Sequence, residues 1–238
     1  MNKKESQILG TIMTFLLLIS MVVVAKESAR LVGVWQEKQL AGEMKTVVID
    51  AGHGGNDPGK VGINGALEKD INLAIAMRVK KYLEQEDINV IMTRQEDKGL
   101  YDESDTNKKV HDMKERLHII ESASPSLAVS IHQNSYPEPG VSGIQVFYYR
   151  DSNKGKDAAL IMQEQLLSTL KPAKERVAKE NTSYYLLKKT SAPLIIVECG
   201  FLSNPDEAEK LSSEDYQNRT AWAIHLGILR FLSQEDNL

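Results

Sequence analysis

The chain has 238 residues, of which 42% are hydrophobic, 26% charged and 6% aromatic. That balance excludes a disordered polypeptide, and the length suits one domain of about 190 residues with a short extra segment. A net charge of −4 leaves no basic footprint for nucleic acid, and the single cysteine, Cys199, excludes a fold stapled by internal disulfides.

Lys3 and Lys4 precede an uncharged apolar run from Ile8 to Ala25. As a helix this run spans roughly 27 Å, close to the ~30 Å hydrocarbon thickness of a bilayer. It lacks the polar stripe of a helix in a soluble core. Residues 1–25 therefore read as a membrane anchor or a signal peptide, Val23 and Ala25 being the small residues before a cut in the second case. In either case the lysines stay cytoplasmic and everything after Lys26 faces outward, so the folded part is extracytoplasmic, membrane-anchored or secreted. Residues 26–44 are polar and read as a linker, for which a helix is an open alternative. The folded domain is expected over residues 45–236.

Within that domain, short β-branched runs alternate with helical patterns. Strands are expected at Thr46–Asp50, Asn89–Thr93, Leu127–Ile131, Gly143–Tyr149 and Leu194–Val197, several of them apolar throughout, as befits strands covered on both faces. Helices are expected at Lys69–Glu86, Val110–Ser122, Lys154–Thr169 and Glu214–Ser233. In the first, Ile71, Ala74, Ile75, Val79, Tyr82 and Leu83 fall near helical spacing and give one apolar face. The stretches Asp97–Asn107 and Lys171–Lys179 read as exposed connections. The alternation specifies an α/β fold with a mixed, largely parallel central sheet flanked by helices.

Three apolar strands end in an ionisable residue. VVIDAGHGG places His53 just past its strand, AVSIHQNS places His132 at a strand end, and LIIVECGF does the same for Glu198. Parallel strands bring such ends to one edge of the sheet, where ligands of open α/β folds bind. Glu68 opens the first long helix, which follows the first strand through a Gly-rich loop to that edge. Two histidines and two carboxylates suggest a metal hydrolase, with three ligands and one general base. GHGGNDPG matches neither a dinucleotide fingerprint nor a P-loop. His111, His118 and His225 read as surface or packing residues. Cys199 should face away from Glu198, since strand neighbours alternate, and reads as a small buried residue.

The same segments, over Lys45 to Leu232, resemble those of the zinc-dependent N-acetylmuramoyl-L-alanine amidases. VVIDAGHGGNDPGKVG resembles the family's opening strand and first zinc ligand, LEKDINLAIA and VSIHQNS the second and third ligand segments, and VECGFLSN the segment of the catalytic glutamate. The resemblance implies a phosphorylase/hydrolase-like fold, one Zn2+ per chain held by His53, Glu68 and His132, and Glu198 as general base. It implies hydrolysis of the amide between the lactyl group of N-acetylmuramic acid and the first L-alanine of the stem peptide. Arg94 and Arg116 stand where the family keeps arginines, which implies substrate binding, a surface ion pair being the structural alternative. Ala51 replaces a common proline, and Cys199 a more usual small or β-branched residue.

The N-terminal membrane segment, the absence of wall-binding repeats and the stretch NTSYYLLKKTSAPLIIVECGFLSNPDEAEKL resemble the germination-specific members, which act on the spore cortex. That likeness implies a place between the forespore membranes and peptidoglycan strands with stem peptides as substrate. It further implies a downstream muramic acid deacetylase leading to muramic δ-lactam, and an accessory lipoprotein. Two rival readings are a vegetative wall amidase and a zinc peptidase on a similar scaffold. A second metal in the peptidase would need Asp50 or Asp57.

Overall fold

The computed structural model describes residues 12–30, 45–102 and 104–235. Helix α1, Ile12–Arg30, is exposed along its length and has a mean hydropathy of 1.9, enough in length and composition to cross a membrane. Residues 26–30, expected in the linker, continue this helix. Lys3, Lys4, the remainder of the linker and residue 236 lie outside the described residues.

The folded domain is built on six described strands: β1 Thr46–Ala51, β2 Asn89–Met92, β3 Leu127–Asn134, β4 Gln145–Tyr149, β5 Lys179–Asn181 and β6 Leu194–Phe201. Their order is β2-β1-β3-β6-β4-β5. All pairings are parallel except that of β4 with β6. The helices are α2 Glu68–Glu84, α3 Lys108–Ala123, α4 Asn153–Leu170, α5 Tyr185–Lys189, α6 Pro205–Ser212 and α7 Glu214–Glu235.

Side chains alternate across a strand, so each strand feeds two cores. Val47, Ile49, Val129, Ile131, Ile195 and Val197 face one side and join the buried residues of α2, α4 and α7. Val48, Ala128, Leu194 and Ile196 face the other and meet Ile120 of α3 and Leu186 and Leu187 of α5. In α2 the buried Ile71, Ile75, Val79 and Leu83 recur every four residues, the stripe that holds the helix on the sheet. The starts of α3 and α4 carry side-chain caps. Asn107 accepts from Val110 N at 3.2 Å and Ser152 from Gly155 N at 3.1 Å. Helices α3 and α4 end at Ser124 and Lys171, both in the left-handed region.

The strands differ from expectation where it matters for the site. β3 and β6 continue past Ile131 and Val197 because they keep pairing with each other, His132 standing opposite Glu198 and Asn134 opposite Phe201. Both ionisable residues therefore lie inside the sheet rather than beyond it. Three elements were not anticipated. β5 is three polar residues that hold only to β4. Helix α5 has a single turn. Helix α6 carried a legible start, Asn204 capping Glu207 N at 3.1 Å with Pro205 in the first turn.

The larger core sets stability. Leu166→Ala on α4 removes a fully buried side chain and is expected to cost about 3 kcal/mol. Leu160→Ala, 49% exposed on the same helix, is expected to stay within about 0.5 kcal/mol. Equilibrium urea unfolding measures both.

Candidate active site

The carboxyl ends of β1, β3 and β6 lie at one edge. His132 and Glu198 are register partners on β3 and β6, and Asp50 pairs with Ser130 on β1 and β3. His53 follows β1 by two residues, and Glu68 is the first residue of α2. The ligand atoms of His53, Glu68 and His132 all lie within 4.8 Å of one another. Glu68 Oε1 is 3.2 Å from His53 Nε2 and 3.0 Å from His132 Nδ1, and the two rings meet edge-on with centroids 5.0 Å apart.

Local backbone allows this convergence. A Cβ on Gly52 would stand 2.2 Å from the His132 ring, so only glycine leaves room for it. Gly59 has a φ of +67°, and a Cβ there would meet Glu68 at 2.6 Å. His53 itself is held at φ +63°, a conformation uncommon outside glycine.

Glu68 is buried and saturated with donors. Its Oε1 also accepts from Gln133 N at 3.0 Å and its Oε2 from Lys60 N at 2.7 Å. Burial opposes its charge, but hydrogen bonds from His132 and His53 outweigh burial and hold the carboxyl well below the usual carboxylate range. His53 turns its other nitrogen, Nδ1, to Asp57 Oδ2 at 2.9 Å, while Gly59 N donates to Asp57 Oδ1 at 3.0 Å. Asp57 thereby orients the ring, the outer-shell arrangement common to ligating histidines. Two imidazole nitrogens and one carboxylate oxygen suit zinc, whereas calcium and magnesium favour all-oxygen sets.

Glu198 faces the same cleft, a cavity of about 550 Å³ that His53, Glu68, His132, Tyr101 and Tyr184 also line. It is 7% exposed, and its Oε2 has no hydrogen-bond partner among the described residues. Burial pushes its carboxyl up to about 7, and the negative charge of Glu68 acts in the same direction against the two histidines. Cys199, its neighbour, points to the larger core and is fully buried, which pushes the thiol up and leaves no nucleophile. His111 and His118 are exposed and His225 is buried against the rings of Tyr82 and Trp222. None of the three lines the cleft.

The two arginines require a correction. Arg94 and Arg116 are each 2% exposed, so neither makes a surface ion pair. Arg94 donates from Nε to Ala51 O at 2.9 Å, from Nη1 to Glu96 O at 3.1 Å, and from Nη2 to Gly52 O at 3.1 Å and Lys69 O at 2.7 Å. Arg116 donates to Asp50 Oδ1 at 2.5 Å, Ala51 O at 2.8 Å, His53 O at 2.7 Å and Asp112 Oδ2 at 2.6 Å. Both guanidinium groups are committed to the turn that carries His53, and Arg116 also lines the cleft. Asp50 is tied to Arg116, Ser130 and Thr93, and Asp57 to His53. Among the described residues, the second metal site of a two-metal peptidase is therefore not assembled. Sequence reasoning missed the orienting role of Asp57. It also missed Asn72, one helical turn after Glu68, which donates to Gly52 O at 3.1 Å.

The ion pair sets an acid limit. Burial opposes the charge on Asp50, but Arg116, with the Ser130 and Thr93 hydroxyls, takes its carboxyl from 3.8 down to about 2. A depressed carboxylate contributes stability that is whole above its unfolded value and lost as pH falls through its folded one. About 2 kcal/mol should therefore disappear between pH ~4 and ~2. Asp50→Asn should flatten this part of the pH–stability curve. Arg116→Ala, which leaves Asp50 buried and alone, should cost about 3–5 kcal/mol at neutral pH. Urea midpoints measured across pH test both.

Residues 47–230 match the Amidase_3 family, N-acetylmuramoyl-L-alanine amidase. The chain is 36% identical over 204 residues to the germination-specific N-acetylmuramoyl-L-alanine amidase of Bacillus subtilis, covering 84% of this chain and 85% of that protein. It superposes with a TM-score of 0.77 and 39% identity on the CwlD amidase of Clostridioides difficile, solved in complex with the GerS lipoprotein, over 79% of this chain and 98% of that one. For the amidase AmiC2 of Nostoc punctiforme the TM-score is 0.72 and the identity 34%, over 81% and 99%. The match reaches from the first strand to the last helix and encloses His53, Glu68, His132 and Glu198, and the chain belongs to the N-acetylmuramoyl-L-alanine amidase family, enzymes that act on peptidoglycan.

Proposed function

We propose that this amidase is a zinc enzyme of the spore cortex, removing stem peptides from muramic acid one step before muramic δ-lactam forms. The observation that carries the chemistry is a single cleft where ligand atoms of His53, Glu68 and His132 converge within 4.8 Å beside Glu198, a buried carboxylate with an unpartnered oxygen among the described residues.

His53, Glu68 and His132 would hold the zinc, which would supply Lewis-acid polarisation of the lactyl carbonyl and a lowered pKa for water. Asp57 fixes the rotation of the His53 ring, and the backbone N–H groups of Lys60 and Gln133 keep Glu68 ionised in a buried place. Glu198 takes a proton from the water that attacks the lactyl carbon. It returns the proton to the alanine nitrogen as the C–N bond breaks, leaving a muramic carboxylate and a free peptide amine. Burial raises the Glu198 carboxyl to about 7 without a metal, and a bound dication would lower it from there.

The setting rests on likeness. One relative is a germination-specific amidase and another was solved with a lipoprotein. An accessory lipoprotein is therefore expected to bind this enzyme, and α1 to anchor it or direct its export to the outer face of a membrane, between the two membranes of the forespore. After peptide removal, a separate deacetylase would free the muramic amine, which can close on the lactyl carboxyl.

Glu198→Gln keeps side-chain size and removes only the basic oxygen. Turnover of muropeptides should fall by roughly 10²–10⁴-fold with zinc content unchanged. Near-normal turnover would contradict the base role, and loss of zinc would make Glu198 a ligand. His132→Ala should lower zinc and activity together, measured by elemental analysis and peptide release.

Deletion in the native organism tests the setting. Vegetative growth should be normal, while spores should lack muramic δ-lactam and fail to complete germination. Chained vegetative cells with an unchanged cortex would instead place the enzyme in vegetative wall turnover.

A further inference from the structure

With the guanidinium groups of Arg94 and Arg116 already engaged by backbone carbonyls and carboxylates, other cations are better placed to meet negative charge on the substrate. The carboxylates lining the cleft are already matched, apart from Glu198. Asp50 and Asp112 lie 2.5 and 2.6 Å from Arg116, Asp57 lies 2.9 Å from His53, and Glu68 lies within 3.2 Å of both histidines. The remaining charges on the wall are three lysines, Lys60, Lys108 and Lys109. Lys108 sits 5.2 Å over the Tyr101 ring. Lys60 and Lys109 are exposed, and among the described residues their ammonium groups make neither an ion pair nor a hydrogen bond. On a chain of net charge −4, two unmatched cations sit at the mouth of the cleft that holds the reacting groups.

Two further features bear on this placement. Lys108 and Lys109 are the first residues of α3, whose first turn holds no acidic side chain. A helix start favours negative charge, so lysines there are locally unfavourable, and a bound anion relieves the conflict. Lys60 comes from a different segment, the loop between β1 and α2, yet it lines the same cleft as Lys109, Asp57 and Glu198. Both therefore stand close to the reacting centre from independent elements.

We propose that Lys60 and Lys109 form a subsite for the free carboxylate of the stem peptide, recognising the acidic residue attached to the L-alanine. In a stem peptide that residue is a γ-linked glutamate with either a free α-carboxylate or its amide. The subsite therefore makes the enzyme selective for the acid. The other contributors to the wall include Tyr184, Tyr185 and Leu186, which are uncharged and offer the sugar an apolar surface instead. The proposal rests on the amidase reading of the same cleft.

The experiment compares the zinc-loaded enzyme on two synthetic muramoyl peptides that differ only in carrying the glutamate α-carboxylate or its amide. The wild type should favour the acid by about fivefold in kcat/KM, the scale of a partly exposed charge pair, and the preference should shrink as salt rises. The double variant Lys60→Ala/Lys109→Ala should lose the preference, whereas Lys60→Arg/Lys109→Arg should keep it. Zinc content and melting temperature confirm that each variant is folded and loaded. Equal kcat/KM on the two substrates for the wild type, or an undiminished preference in the double alanine variant, would overturn the subsite. A zinc-loaded wild type that releases peptide from neither substrate would overturn the amidase reading beneath it.

Discussion

The contact on which the site depends is the buried ion pair between Arg116 and Asp50. Such pairs seldom stabilise a fold beyond what apolar residues would, because desolvating two charges offsets most of their attraction. Its value here lies in direction. Asp50 is the last residue but one of β1 and is fixed by the hydroxyls of Ser130 and Thr93. The fork of Arg116 then reaches past it to the carbonyls of Ala51 and His53. Arg94 takes the carbonyls of Ala51 and Gly52 in the same turn. Three consecutive backbone oxygens, 51 to 53, are thus held by two planar guanidinium groups, which lysine could not replace. That grip keeps His53 in a left-handed conformation that an unrestrained histidine rarely adopts.

From that turn the rest of the centre follows by register. β3 lies between β1 and β6, so one strand sets the height of His132 against both its neighbours. Glu68 is the hub, because one of its oxygens meets both imidazoles and the other a backbone N–H from the loop that carries His53. Its helix belongs to the layer on the larger core, while Glu198 projects to the thinner layer with Ile196 and α5. The cleft opens where the thinner layer ends, so it lies at a sheet edge with access to solvent. The chain enters the domain at the other edge, where the Lys45 ammonium donates to Leu232 O at the end of α7. The reacting groups therefore face away from the point of entry.

Much of this was legible because it lies in patterns of short range. Apolar runs ending in His53, His132 and Glu198 marked the parallel strands, and the spacing of Ile71, Ile75 and Val79 marked the helix that Glu68 begins. The alternation rule placed Cys199 away from Glu198, and its burial agrees. What escaped notice depends on partners far along the chain. Nothing near Arg94 or Arg116 reveals that Ala51, Gly52 and His53 need their donors, so a buried clamp reads like a substrate ligand. β5 exists only because β4 offers it an edge, and three polar residues carry no period. The extension of β3 and β6 arises from mutual pairing, which neither strand encodes alone. Helix α6 is different, since its Asn-Pro start followed by two acids was a readable signal.

Several local rules are broken together in one place. A non-glycine residue stands at positive φ at position 53, and a glycine is forced at 52 by the approach of an imidazole. A carboxylate at 198 is buried with an unpartnered oxygen, and two lysines open a helix that would favour acids. Each is unfavourable for folding and each has a neighbour that makes sense of it only when substrate chemistry is added. The positive φ turns His53 toward Glu68. The missing Cβ admits His132. The unpartnered oxygen keeps a base unquenched until water reaches it, and a negative peptide would relieve the helix start. Elsewhere the exceptions are scattered: Ser124 and Lys171 close their helices in the left-handed region, and the buried His225 ring has no hydrogen-bond partner among the described residues. Several such conflicts meet in one 550 Å³ cleft, where binding can resolve them. That concentration, more than any one residue, separates the catalytic edge of the sheet from its structural one.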